Sequence, residues 1–236
     1  MTAREEMLAR GLEGFGLPSD ERTVTLLGRF ADLLLRWNRT YNLTAIREES
    51  EVVTHHLLDS AALVPMIAKI APEAETLLDV GSGGGLPAVP TALLRPDLSV
   101  HAVDTVKKKV TFLQQAQIEL GLKNFRAHHA RVENLRLSPF DVITSRAFAS
   151  LADFTSLTEH LLKPSGLWLA MKGVVPEEEI AALPDFVRVR ENSSADGART
   201  ERIRHLIVWS TTPVADCHDF SLSSVHLFSR TRRWCR

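Results

Sequence analysis

Cysteine is nearly missing from this chain: Cys217 and Cys235 are the only two in 236 residues, both near the end. Two thiols so placed make neither a disulfide framework nor a zinc-binding spacing, which favours a reducing compartment. Net charge is nearly missing too, with 28 Lys and Arg against 29 Asp and Glu. A whole-molecule field that weak draws in neither nucleic acid nor an anionic membrane, so any basic surface is local. No apolar run approaches the roughly 20 residues of a membrane span. Arg4, Glu5, Glu6 and Arg10 interrupt the N-terminus, unlike a signal peptide. The expectation is a cytoplasmic protein. What is present, 44% hydrophobic and 24% charged residues, suffices for one large α/β core with a small appendage.

Up to about Lys69 the pattern is helical. Pro18-Ser-Asp-Glu21 supplies an N-cap serine with acids in the first turn. Leu26, Leu27, Phe30, Leu33, Leu34 and Trp37 follow at helical spacing, and the helix is expected to end at Asn38. A second helix is predicted over Glu49 to Ala68, holding His55, His56 and Asp59. From Thr76 strands alternate with helices. The strands are Thr76–Val80, Leu98–Asp104, Asn124–Ala130, Phe140–Ser145 and Leu167–Lys172, and the helices Val89–Leu94, Val106–Leu120 and Leu151–Leu162. Gly121 is placed as a C-cap, Pro164-Ser-Gly166 as a turn into the fifth strand, and Pro176 in the first turn of a further helix. Phe186–Arg190 and Arg202–Trp209 read as an antiparallel hairpin around a polar loop, Asn192–Arg199. Such alternation means a parallel sheet whose edge the hairpin closes. The tail from Ser210 has weak periodicity.

The first strand runs into Gly81-Ser-Gly-Gly-Gly-Leu-Pro87. In a doubly wound sheet the first βα turn approaches the ligand at the carboxyl ends of the strands. Gly81, Gly83 and Gly85 let backbone come close and take positive φ, with Ser82 among them. Asp104 ends the second strand, where an acid takes the hydroxyls of a ribose. The alternative is a merely tight turn with Asp104 as a helix cap. Gly83-Gly-Gly85-Leu-Pro-Ala88 formally satisfies a dinucleotide pattern, so an NAD(P)-dependent oxidoreductase is one reading. That reading needs a helix N-terminus open to a pyrophosphate, and Pro87 and Pro90 remove two of its amides. Asp79, an acid just before the glycines, suits S-adenosylmethionine better.

In such a sheet the fourth strand ends beside the reacting methyl group. Here it reads Phe140-Asp-Val-Ile-Thr-Ser-Arg-Ala-Phe-Ala-Ser150, with no Pro-Pro motif and no cysteine. Arg146 takes that place. Arginine is no base at neutral pH, though it can hold a carboxylate, a phosphate or the O6/N7 edge of guanine. A nucleophile with its own lone pair, such as guanine N7, needs no base, and catalysis then rests on positioning. A structural ion pair is the plainer role for Arg146. Lys107-Lys-Lys109 opposes the helix dipole by a few tenths of a kcal/mol per residue. A solvated face or an anionic partner accounts for it equally well. His55-His56 and His128-His129 lack a third ligand at metal spacing, so no metal is expected. Trp37 and Tyr41 could stack on a flipped base, although Trp37 fits the apolar stripe.

Six runs, in order, resemble the glucose-inhibited division protein B family (RsmG), the bacterial small-subunit ribosomal RNA guanine-N7 methyltransferases. They are Trp37-Asn-Arg-Thr-Tyr-Asn-Leu-Thr44, His56-Leu-Leu-Asp-Ser60, Asp79-Val-Gly-Ser-Gly-Gly-Gly-Leu-Pro87, Arg131-Val-Glu133, Ser145-Arg-Ala-Phe-Ala-Ser150 and Lys172-Gly173. The resemblance implies methyl transfer from S-adenosylmethionine to N7 of a guanine in the decoding-region loop of 16S rRNA. The substrate would be that rRNA or a small-subunit precursor. Independently of the resemblance, a monomer without metal is expected. The resemblance also implies the class I, Rossmann-like α/β methyltransferase fold, a seven-stranded sheet with an antiparallel edge hairpin. The division would be a helical cap at residues 1–69, a methyltransferase domain at 70–209 and a tail at 210–236. By motif match Gly81 and Leu86 line the donor, the backbone of Val132 and Glu133 meets its adenine, and Arg146 completes the pocket. Asn42, His56, Arg131 and Lys172 face the target or close the site, with Lys107 on the same side. Catalysis is assigned to positioning by Arg131 and Arg146. Ala88 and Thr105 stand where the family usually has Gly and Ser. A non-catalytic RNA-binding protein on the same fold is the remaining alternative.

Overall fold

The computed structural model of the protein describes residues 2–146, 148, 150–172, 177–181, 183, 188–194 and 205–210. Two helices open the chain, α1 (Ala3–Gly14) and α2 (Glu21–Tyr41). The N-cap of α2 is Asp20, not Ser19: its carboxylate accepts the Thr23 amide at 3.1 Å and the Thr23 hydroxyl at 2.8 Å. The carboxylate gives each bond its own oxygen. The helix also runs past Asn38 to Tyr41 and ends on Asn42 in the left-handed region (φ 49°). Arg4 ties α1 to Asp32 of α2 and to Glu49 of the next helix.

The second predicted helix is wound in two ways, α and π. After α3 (Glu49–Val52) comes a π-helical stretch, Val53–Leu58, then α4 (Asp59–Ala61) and α5 (Leu63–Ile70). Seven strands follow: β1 (Thr76–Val80), β2 (Ser99–Asp104), β3 (Phe125–His129), β4 (Phe140–Ser145), β5 (Leu162–Lys172), β6 (Arg188–Ser194) and β7 (His205–Ser210). Between β1 and β5 lie α6 (Ala88–Leu94), α7 (Lys107–Leu120) and α8 (Leu151–Thr158), and α9 (Glu177–Ala181) follows β5. The sheet order is β3-β2-β1-β4-β5-β7-β6, parallel from β3 to β5 and antiparallel at β7 and β6. The seven-stranded sheet with its edge hairpin is therefore present, and Gly121 caps α7 at φ 65°. The helix predicted over Leu151–Leu162 is shorter, since Glu159–Leu161 tightens to 3-10 before β5 begins.

Pro164-Ser-Gly166 does not lie before β5 but inside it. Phe140 pairs with Leu162 and Val142 with Leu167, so the intervening residues bulge out of register. Pro164 has no amide for the ladder, which makes this the place for the bulge. Pro176, Gly173, Phe186, residues 195–199 of the predicted hairpin loop, and the tail at 211–236 with Cys217 and Cys235 lie outside the described residues.

Both faces of the central strands are buried, and strand alternation sends successive residues to opposite sides. Leu77, Val142, Leu167, Leu169 and Val208 join one cluster with Leu8, Leu34, Phe30 and Phe112. Leu78, Ile143, Trp168, Ile207 and Trp209 join the other with Leu151 and Phe154. The N-terminal helices thus share one core with the sheet. On the far side the buried indoles of Trp168 and Trp209 donate to the hydroxyls of Thr158 and Thr155 at 2.9 and 3.0 Å. Among the described residues no helix is long and apolar enough to cross a membrane.

Candidate active site

The glycine turn leaves β1 with Gly81, Gly83 and Gly85 at φ 72°, 56° and 77°. The amides of Gly81 and Ser82 donate to the carbonyl of Val103 at 2.9 and 3.2 Å, so the turn hangs on the end of β2. Ser82 donates its hydroxyl to Asp79 at 2.5 Å. Asp79 is almost fully enclosed, and burial pushes its carboxyl up to about 6; the Ser82 hydroxyl, the Arg146 charge and the Ala88 amide pull the other way. Asp104 accepts the Gly83 amide at 3.0 Å on one oxygen and the Val106 amide at 2.8 Å on the other. Each oxygen keeps further acceptor capacity. A Cβ on Gly85 would lie 2.8 Å from Val89 and 3.0 Å from Leu113, whereas one on Gly83 would meet only the Gly81 carbonyl at 3.8 Å. Gly85 is a packing glycine. Gly83 opens onto space.

Nothing after this turn offers amides to a pyrophosphate. Val89 N–H donates to Gly85 and Thr91 N–H to Pro87, while Pro87 and Pro90 have none. The Leu86–Pro87 peptide is cis, and Leu86 is buried.

β4 is fastened to β1 where both end, because Ser145 donates its hydroxyl to the Val80 carbonyl at 2.8 Å. The next residue, Arg146, turns to the helical segment before the sheet. Its guanidinium stands 3.4 Å from the Asp59 carboxylate and 3.4 Å from the Ser60 hydroxyl. Those two residues escaped the sequence reading as site residues, although they sit in the run His56–Ser60 that carried the family likeness. His56 is buried in the π-helical stretch. Its Nε2 lies 2.6 Å from the Thr44 hydroxyl and its Nδ1 3.0 Å from the His55 carbonyl. Asn38 accepts the Thr44 amide at 2.9 Å and donates to Ile46 at 3.1 Å. His56 and Asn38 therefore brace the turn that leaves Asn42 exposed on the rim.

The segment after β3 runs alongside the end of β2, with Ala130 N–H donating to the main-chain carbonyl of Asp104 at 3.3 Å. Val132 is buried there, and Glu133 and Arg131 point outward, 3.7 Å apart. Lys172, at the end of β5, donates to the Phe148 carbonyl at 3.2 Å and to Glu179 at 3.0 Å. Glu179 also accepts the Leu151 amide at 2.9 Å, so the pair braces the chain that follows Arg146. Only the acids of the run Glu177–Glu179 marked Glu179 in the sequence, and they do not single it out.

A family model described as GidB, rRNA small subunit methyltransferase G, matches residues 23–207. The chain belongs to this family. It is 48% identical over 207 residues to the ribosomal RNA small subunit methyltransferase G of Neisseria meningitidis serogroup B, covering 88% of this chain and 98% of that one. The protein of the same name from Aromatoleum aromaticum is 51% identical over 206 residues, covering 85% and 96%. Among solved structures, TrmN from Thermus thermophilus superposes with TM-score 0.50 at 20% identity, over 67% of this chain and 53% of that one. A putative S-adenosyl-L-methionine-dependent methyltransferase from Methanococcus maripaludis gives 0.53 at 16%, over 70% and 91%. At those identities the likeness is one of fold, the class I methyltransferase fold.

A member of the methyltransferase G family is an enzyme with S-adenosylmethionine as its methyl donor, which closes the oxidoreductase and non-catalytic readings. The residues present fit that donor: free space above Gly83, a strand-end carboxylate in Asp104, and the 130–133 backbone beside it. Among the described residues no group of three metal-ligating side chains exists. The histidine pairs are used otherwise. His129 Nε2 lies 3.1 Å from the Thr105 carbonyl, and His128 Nε2 lies 3.1 Å from Nδ1 of His101, the two rings stacked.

That stacked pair makes acid stability predictable. Burial, then His128 and Arg126, lowers His101 from 6.5 to about 4; burial and Arg126 lower His128. The unfolded chain then binds more protons than the folded one below about pH 6.5. The pair's contribution to stability is full above that pH and is lost as pH falls towards 4. Melting temperature should drop less steeply across this window in a His101→Gln, His128→Gln variant than in the parent. Equal slopes would mean the pair does not set acid stability.

Proposed function

We propose that this cytoplasmic protein, acting as a monomer, transfers the methyl group of S-adenosylmethionine to N7 of a guanine in the decoding-region loop of 16S rRNA. The observation that carries this is what β4 delivers beside the glycine turn: Ser145, whose hydroxyl is engaged by Val80, and Arg146. Neither is a nucleophile or a general base, and N7 needs neither. When bound, the donor supplies an electrophilic methyl on sulfur. The Gly81–Gly85 backbone shapes the cradle, with Leu86 on its wall. Asp79 and Ser82 hold that turn from beneath. Asp104 takes the ribose hydroxyls, and the backbone of Val132 and Glu133 meets the adenine. Arg146 and Arg131 orient donor and guanine in line, which is catalysis by positioning. Asn42 and Lys107 face the RNA from the rim, and His56 and Lys172 act from behind by holding the turns around the site.

Nucleoside mass spectrometry of 16S rRNA, incubated with the protein and a methyl-labelled donor, should show labelled 7-methylguanosine. Calorimetry should show the donor or its demethylated product binding and NADH not binding. Methylation at a pyrimidine carbon or an exocyclic amine instead would overturn the assignment.

A further inference from the structure

The C-terminal end of α2 meets the first turn of α7 at the rim of the glycine turn. Tyr41, the last residue of α2, is 41% exposed and packs one side against Trp37 at 5.2 Å between ring centroids. Lys108 Nζ stands over the Tyr41 ring, 5.8 Å from its centre. Lys107 and Lys108 are exposed, and Val106 beside them is 42% exposed. Of the three lysines, Lys109 faces a carboxylate, Asp104 at 3.7 Å. Three cations in the first turn oppose the helix dipole, and the N-cap residue Val106 supplies no side-chain acceptor. The surface is continuous with the site, since Leu43, two residues after Tyr41, has its carbonyl 3.7 Å from where a Cβ on Gly84 would stand.

We propose that Tyr41 and Lys108 form a stacking platform for an unpaired nucleotide of the RNA substrate, with Lys107 and Lys108 against its phosphates. The inference rests on the rRNA methyltransferase reading and adds the surface that holds the RNA. An exposed ring backed by a second aromatic presents a rigid face that accepts any base. Lys107 and Lys108 supply cations for the phosphates, Lys108 swinging off the ring over which it stands as the base stacks there. A nucleotide held here lies next to the cradle, so stacking it helps keep the target base extruded.

The test is filter binding of the full-length protein to deproteinised 16S rRNA and to small ribosomal subunits lacking the modification, over a range of salt. Tyr41→Ala should weaken binding by about tenfold or more, and Tyr41→Phe should stay within about twofold. Lys108→Ala should reduce the slope of log affinity against log salt by about 0.7, the share of one phosphate no longer neutralised. Donor affinity measured by calorimetry should be unchanged in all three. If Tyr41→Ala proves poorly folded, Lys108→Ala, an exposed change, decides alone. A parent enzyme that methylates normally, with variants whose RNA affinity and salt slope match it, overturns the platform while leaving the function intact. A parent that methylates no 16S rRNA removes the reading on which the platform rests.

Discussion

Arg146→Ala is expected to lower the rate of methyl transfer on the order of a hundredfold, the loss typical when an anchor of the reacting geometry is removed. That corresponds to about 2.7 kcal/mol of barrier. The side chains of Arg146 and Asp59 are only 17% and 9% exposed, so the alanine variant also takes a cation from beside a largely enclosed carboxylate and should melt earlier than the parent. Arg146→Lys separates the two effects. It keeps a cation near Asp59 and so most of the stability, but it lacks the planar fork that fixes direction, so its rate should still fall steeply. Over the pH range where neither substrate titrates, the parent's chemical step should show no rising limb of a required base. A base-type pKa near neutrality, a covalent enzyme–RNA adduct, or a fully active lysine variant would each contradict catalysis by positioning.

The glycine turn gives the second large effect, and it splits between neighbours. In Gly85→Ala the added Cβ meets Val89 at 2.8 Å and Leu113 at 3.0 Å, at a φ of 77°. Left-handed strain of about 1–2 kcal/mol and overpacking of about 1–3 kcal/mol should together lower the melting temperature on the order of ten degrees. Gly83→Ala carries the strain alone, since its Cβ touches nothing closer than the Gly81 carbonyl at 3.8 Å. Its stability loss should be the smaller of the two, yet its affinity for S-adenosylmethionine should fall at least about tenfold, because the new methyl occupies the cradle. Differential scanning calorimetry and isothermal titration read the two quantities separately. Donor binding by Gly83→Ala equal to the parent's would move the cradle away from Gly83.

The strands Thr76–Val80 and Phe140–Ser145 stand where the sequence places them, and so does Gly121 at the end of α7. All three rest on short-range physics: apolar runs bounded by turn residues, and a left-handed cap that only a residue without a side chain adopts easily. The glycines and Asp104 were legible for the same reason, since a turn and a strand end announce themselves locally. The destinations of side chains were not. Arg146 was visible at the end of β4, but its partners Asp59 and Ser60 lie 87 and 86 residues earlier in the numbering. Only the packing of α4 against α6, the helix that follows the glycine turn, brings them together. His56 and Lys172 look alike in sequence as polar residues near a site. Folding turns both inward, His56 onto Thr44 and Lys172 onto Glu179 and Phe148. Sequence periodicity determined which residues are strand, helix and turn, because steric preference acts over a few residues. Tertiary structure alone decided which polar groups brace the site and which face outward, because a buried donor or acceptor must find a partner wherever the fold has put one.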